Sequence, residues 1–218
     1  MPSRPAIAPA ITIRPLSPER WPDVERLFGE RGACGGCWCM FWRLRASQFQ
    51  KQKGSANRRA FKRIVSSGES PGLLAYRAGQ PVGWCAVGPR VQYIRMENSR
   101  VLGRVDDTPV WSVSCLFVDR KYRRQGISVK LLTAAVAFAR KHKALILEGY
   151  PTDPAHAKAP DAFVWTGLAS AYRQAGFVEV IRRSKTRPIM RFDLRRKTVG
   201  RTSSKDRDVP TRRRGGVK

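Results

Sequence analysis

Acidic side chains are scarce in this sequence. Only 16 of its 218 residues are Asp or Glu, against 43 Lys or Arg, which gives a formal charge of +27. A polycation would want an acidic pocket, for which the chain has few carboxylates, and the excess charge favours anions: nucleotide phosphates, nucleic acid or acidic surfaces. Histidine is rarer still, with 2 residues, and there is no Ser/His/Asp pattern. Long apolar runs are also missing. The longest mainly apolar stretch, Leu131–Ala139, falls far short of the roughly 20 residues that span a bilayer. The N-terminus has no apolar h-region, so no signal peptide is expected. The 5 cysteines (Cys34, Cys37, Cys39, Cys85 and Cys115) are odd in number and three are clustered, which does not suggest a disulfide framework. The expectation is a cytoplasmic protein with reduced thiols and no membrane contact.

What is present is a core. The 6 Trp and 9 Phe supply large buried surfaces, and 42% of residues are hydrophobic, enough for one ordinary domain. Residues 1–10 are rich in Pro and Ala and are expected to be flexible. Residues 195–218 hold ten basic and two acidic residues and almost no large apolar group, and read as a disordered basic tail. The folded domain is therefore expected over 11–194.

Within it, Ile11–Arg14 alternates as a strand, and residues 19–29 place Trp21, Val24, Leu27 and Phe28 at helical spacing. Residues 55–66 read as a helix with Ser55 as N-cap. Gly72–Arg77 and Pro81–Val87 read as a hairpin turning at Ala78-Gly79-Gln80. Residues 110–118 form an apolar strand, fit for the centre of a sheet. Residues 124–141 carry one apolar stripe through Ile127, Leu131, Ala134, Ala135 and Phe138. Strands are expected at 144–148, 177–181 and 189–194, and a helix over 161–175, ended by Gly176. This order predicts an α/β (α+β) domain with a mixed central β-sheet flanked by helices.

The chemistry concentrates where strand 110–118 runs through a basic turn, Asp119–Arg124, into the long helix. The first turn of a helix leaves backbone N–H groups unpartnered and carries partial positive charge, so a pyrophosphate fits there. Gly126 lets phosphate oxygens approach the backbone, Ser128 adds a hydroxyl, and Arg123 and Arg124 add charge. A basic turn before an ordinary amphipathic helix would look the same locally.

The wider pattern resembles motif A of the GNAT (GCN5-related N-acetyltransferase) superfamily, a Leu/Val strand followed by Arg/Gln-x-x-Gly-x-Gly/Ala. Here Leu116-x-Val118 leads to Arg123, Gly126 and Ser128. The resemblance implies the acyl-CoA N-acyltransferase fold and acetyl-CoA as co-substrate. Phe117 and Val118 would bond the pantetheine arm, and Arg123, Arg124, Gln125, Gly126, Ile127 and Ser128 would hold the pyrophosphate. Tyr172, four residues before Gly176-Phe177, resembles the family's tyrosine that protonates the departing thiolate, a role suited to a phenol. The Asn often found seven residues before that Tyr is here Trp165.

Direct attack by an amine needs no protein nucleophile. It needs polarisation of the thioester carbonyl, for which strand N–H groups near Val118 are suited. It also needs a proton acceptor. Glu148, at the end of the strand after the long helix, is the candidate base, or else an ion-pair partner for an arginine. Residues 32–42, rich in Gly and aromatics, are read as lining the acceptor pocket through Trp38 and Trp42. Cys34-x-x-Cys37-x-Cys39 supplies three of the four ligands that a structural zinc requires, so no metal is assigned.

The function expected is transfer of an acetyl group to an amine of a small molecule or protein. The rival is a nucleic-acid- or ribosome-associated basic protein on the same scaffold, using the surface charge and Arg212–Arg214. Nucleic acid, an acidic partner and a second copy of the chain stay open as partners.

Overall fold

A computed structural model describes residues 9–154 and 164–195. Strand β1 (Ile11–Pro15) is followed by α1 (Trp21–Phe28), α2 (Ala46–Gln52) and α3 (Ser55–Ser66). Next come β2 (Gly72–Arg77), β3 (Gln80–Pro89), the short α4 (Ile94–Glu97) and β4 (Trp111–Val118). The chain continues through α5 (Ile127–Lys141), β5 (Ile146–Gly149), α6 (Ala169–Gln174), β6 (Val178–Arg182) and β7 (Pro188–Asp193). The 7 strands form one sheet in the order β1-β2-β3-β4-β5-β7-β6. Among the strands of the described residues only β4 and β5 pair in parallel.

Two apolar layers cover the sheet. On one face α5 and α6 pack through Ile127, Leu131, Leu132, Ala135 and Tyr172 onto Leu73, Val82, Val113 and Leu147. On the other, α1 and α3 enclose an aromatic cluster of Trp21, Phe28, Trp38, Phe61 and Trp84. A third, smaller cluster of Tyr93, Met96, Leu102, Tyr150 and Ile189 seats α4 beside the second layer.

The hairpin forms as expected. Its two loop residues, Ala78 and Gly79, both take positive φ (47° and 77°), which matches the twist of the flanking strands. The helix expected from Ser55 begins there, but Gly54 at φ 81° holds the N-cap position. The helix expected from 124 starts at Ile127, because Arg124 (φ 59°) and Gly126 (φ 72°) are left-handed. The helix expected over 161–175 is shorter. Residues 161–163 lie outside the described residues, Gly167 sits at φ 86°, Leu168 is extended, and α6 begins at Ala169. The short helices α2 and α4 were not expected.

Two irregularities of β4 prepare the site. First, Ala86 faces Cys115 while Val87 faces Val113, so Ser114 is an extra residue in a bulge. Second, β4 pairs with β5 at only three positions, Trp111–Leu147, Ser112–Glu148 and Val113–Gly149. Beyond them the segment 164–168 takes the place next to β4. The Leu116 N–H donates to the Trp165 carbonyl (2.7 Å), and Thr152 N–H to the Gly167 carbonyl (2.8 Å).

Candidate functional site

The basic turn is built by local chemistry. A 3₁₀ turn over Arg120–Tyr122 is capped by Asp119, whose carboxylate accepts from the Lys121 N–H (2.8 Å). Arg123 then folds back and donates from Nε to the Val118 carbonyl (3.1 Å), tying the turn to the end of β4. Gln125 accepts from Arg77 and donates to the Lys121 carbonyl (3.3 Å). Gly126 is exposed at φ 72°, and a Cβ there would meet nothing within 4 Å. Its carbonyl accepts from the Lys130 N–H (3.1 Å), so the amides ahead of Lys130 in α5 open outward as helix-start donors. Arg124 is exposed beside them, Ser128 is half-buried, and the Ile127 side chain is buried in the core. These residues fit a pyrophosphate through main-chain amides, open space at a glycine and surrounding cations.

The expected arm-binding pair divides. The Asp119 N–H donates to the Val82 carbonyl (3.0 Å). By strand alternation Phe117 also directs its main chain at β3, while Leu116 and Val118 face the β5 side. The Phe117 ring packs edge-on against Phe28 (5.9 Å). Of the expected pair, only Val118 turns its backbone to the β5 side, as Leu116 does, whose N–H already bonds the Trp165 carbonyl.

Tyr172 is fully buried, its ring against Gly149 of β5 and Gly167 of the segment that lies beside β4. Its hydroxyl donates to the Thr166 carbonyl (3.1 Å). Its ring lies so close to Gly149 that a Cβ there would stand 2.0 Å from Cε1. Burial raises its pKa well above the usual phenol value and keeps the hydroxyl protonated.

Glu148 is also buried, and both its oxygens are engaged. Oε1 accepts from Arg90 Nη1 (3.1 Å) and the Tyr150 hydroxyl (2.7 Å), and Oε2 from Arg191 Nε (2.7 Å). The network extends through Arg90 to Glu97 (2.8 Å) and through Arg191 to Asp106, whose carboxyl Arg191 holds at about 2. With both oxygens occupied by two guanidiniums and a hydroxyl, the geometry gives Glu148 the ion-pair role. The network borders a cleft of about 350 Å³ lined by Arg90, Asp106, Trp111 and Lys143, at the end of β4 away from Gly126.

The two expected pocket tryptophans separate as well. Trp38 is a core residue, 3% exposed and stacked on Trp21 (6.1 Å). The cause is the backbone: Trp38 (φ 42°) and Cys39 (φ 57°) both take left-handed conformations that turn the indole inward. Trp42 reaches the opening. Its Nε1 donates to the carbonyl of the bulged Ser114 (3.1 Å), and its ring meets Phe41 (4.9 Å) and Trp165 (5.6 Å). Trp165, read only as a departure from the family pattern, supplies both this ring and the carbonyl that holds Leu116.

Among the described residues no group of three or more His, Cys, Asp or Glu is arranged to hold a metal. His156 lies outside them. Cys34 is exposed, and burial pushes the Cys37 thiol up to about 12. Cys39 accepts from the Cys115 thiol and from the Trp84 indole (3.0 Å), which makes it the more acidic of that pair.

No curated protein matches this chain. Among solved structures, a GNAT-family acetyltransferase from Streptococcus agalactiae is similar at 13% identity and TM-score 0.50, covering 86% of this chain and 97% of that one. The PaiA N-acetyltransferase of Thermoplasma acidophilum, solved with coenzyme A, is similar at 17% identity and TM-score 0.47, with 84% and 99% covered. The ribosomal-protein-S18-alanine N-acetyltransferase of Escherichia coli is similar at 15% identity and TM-score 0.44, with 85% and 94% covered. The family model for the acetyltransferase (GNAT) family matches residues 38–159, more than half of the sequence and the whole span from the aromatic segment through β4, the Gly126 loop and β5. With that match and this fold, the chain belongs to the GNAT family of acetyltransferases, enzymes that move an acyl group from acetyl-CoA to an amine.

Proposed function

We propose that this chain acetylates its acceptor by direct attack of an amine in the opening between β4 and β5. The observation that carries the reading is the coincidence, at one end of β4, of a strand edge not paired with β5 and a helix start behind a left-handed glycine. The α5 amides, with Arg123 and Arg124, would bind the pyrophosphate of acetyl-CoA. The Val118 and Leu116 N–H groups line the edge where the acyl arm lies. Leu116 reaches that role by exchanging the Trp165 carbonyl for the arm. A backbone donor fixed there stabilises negative charge developing on the carbonyl oxygen. Tyr172 would supply the proton to the departing sulfur, moving its donated hydrogen bond from the Thr166 carbonyl. With Glu148 held in its ion pairs, the proton of the attacking amine would pass to solvent water. Trp42 stands at the acceptor side of the bulge. Among the described residues no helix is long and apolar enough to cross a membrane. Reduced thiols and a cytosolic acetyl-CoA supply support the cytoplasm as its place of work. The basic tail lies outside the described residues, and its charge supports attraction of an acidic or nucleic-acid partner.

The test is thermal unfolding with acetyl-CoA. At 100 times its Kd the ligand should stabilise the fold by about 2.7 kcal/mol. Gly126→Val places a β-branched side chain in a left-handed position and in the phosphate space, and should abolish the shift. No shift for the parent protein at millimolar acetyl-CoA would refute the reading.

A further inference from the structure

Two arginines that the transfer reaction does not use lie by the aromatic residues Phe41 and Trp165. Arg95, on α4, lays its guanidinium 4.0 Å above the centre of the Phe41 ring, and its main-chain N–H donates to the Trp42 carbonyl (3.0 Å). Its Nη1 is buried and donates to nothing. A buried guanidinium N–H without an acceptor is costly, so the position demands a reason. Arg187, just before β7, is half-buried and donates from Nη1 to the Thr166 hydroxyl (2.8 Å) and weakly to the Tyr150 carbonyl (3.5 Å), both neutral oxygens.

Nearby carboxylates are already spent. Glu97 is paired with Arg90 and Arg104. Glu148 is paired with Arg90 and Arg191. Asp153, whose N–H bonds the Thr186 carbonyl beside Arg187, is paired with Arg173 (3.3 Å) and Arg182 (2.9 Å). Among the described residues, then, neither Arg95 nor Arg187 has a carboxylate partner; Arg95 lies over Phe41, and Arg187 bonds Thr166, the neighbour of Trp165, in the wall made by Phe41, Trp42 and Trp165. That wall touches the Ser114 bulge through the Trp42 indole. Phe41 meets Trp165 at 5.1 Å, so the three rings form one continuous apolar surface.

We infer that the acceptor is a small amine with an apolar body and a carboxylate, the body lying on Phe41, Trp42 and Trp165 and the carboxylate held by Arg95 and Arg187. The inference rests on the acetyl-transfer reading and deepens it. The planar fork of arginine matches a carboxylate in two-point contact, and an aromatic wall favours a hydrocarbon side chain over a polyol. An acceptor of this class completes the Arg95 donor set, and its amine points to the bulge of β4.

The experiment uses paired acceptors: phenylalanine, leucine, methionine and glycine, each as free acid and as amide, with thiol release from acetyl-CoA as readout. The free acids with large side chains should be turned over with kcat/KM at least about tenfold above their amides, the scale of a charge-assisted hydrogen bond. Arg95→Gln and Arg187→Gln should each bring that ratio towards one by raising KM for the acid, leaving KM for acetyl-CoA unchanged. Arg95→Lys should restore part of it. Arg59→Gln, an exposed site on α3, should leave the ratio intact and so separate a specific contact from the general charge of the protein. Acetyl-CoA binding with no acid preferred to its amide, or with no acid turned over, overturns the proposal. So does a change in acetyl-CoA KM in place of acceptor KM. Failure to bind acetyl-CoA at all would instead overturn the reading beneath it.

Discussion

Replacing Glu148 by glutamine removes the negative charge that two arginines share inside the sheet. The Arg90 and Glu148 side chains are 5% and 1% exposed, and Arg191 is 11% exposed. Removing one partner from a buried ion pair costs about 3–5 kcal/mol, because the other charge stays behind without compensation. Arg90 keeps Glu97 and Arg191 keeps Asp106, which places the expected loss at the lower end, about 3 kcal/mol. For a chain of this size each kcal/mol moves Tm by about 2–4 °C, so a fall of about 6–12 °C is expected. Calorimetry measures it, and kcat at saturating substrates should change by less than tenfold. Combining Glu148→Gln with Arg90→Met should recover part of the loss, since removing both charges of a pair is far cheaper than removing one. An unchanged Tm together with a hundredfold drop in kcat would refute this reasoning and make Glu148 the base.

Three further outcomes follow from the geometry. Tyr172→Phe keeps the ring against Gly149 but removes the proton donor, so kcat should fall by about 10²–10⁴ while acetyl-CoA affinity holds, as single-turnover assays and calorimetry would show. Trp38→Ala should cost about 3–5 kcal/mol by opening the aromatic core, whereas Trp42→Ala should leave most stability in place and raise acceptor KM, so unfolding curves and kinetics separate the two. Folded-state pKa values raised for Cys37 (to about 12), Tyr93, Tyr150 and Tyr172 mean that the protonated forms stabilise the fold. Their contribution is intact below the thiol range near 9 and is lost as pH rises from there, first through Cys37 together with the likewise raised Cys85 and Cys115, and then through the phenols. Urea unfolding between pH 8 and 11 should show falling stability, with a shallower initial slope in Cys37→Ala.

Where information is local, the sequence shows it. The hairpin, α3, the apolar run of β4 and the Gly126 loop each depend on residues adjacent in the chain, and their patterns are legible. Sites assembled from distant residues are not. Arg90 and Arg191 reach Glu148 from 58 and 43 positions away, and neither has a local signature. Trp38 and Trp42 share one aromatic run, and only two left-handed residues decide that the first turns into the core. The helix expected to start at 161 shows the limit of periodicity. Gly167, at φ 86°, stands inside the expected span, and the demand of β4 for a backbone partner at Leu116 belongs to tertiary structure.

The seam between β4 and β5 has a mechanical meaning. At three residue pairs it is the shortest ladder in the sheet, and it joins two blocks, β1–β4 and β5–β7. Buried polar side-chain ties cross it at the Trp111 end, Arg90 to Glu148 and Ser112 to Tyr150 (2.8 Å), while at the other end the Leu116 N–H holds the Trp165 carbonyl (2.7 Å) and Trp165 meets the Phe41 and Trp42 rings. Widening the other end therefore means rotation about a pinned pivot, with release of the Leu116–Trp165 bond and no loss of a β4–β5 ladder bond. The pivot is buried charge, little affected by salt, whereas the jaw tips at Arg123 and Arg124 are exposed and strongly screened. Ionic strength should thus slow the capture of an anionic ligand without softening the hinge that admits it.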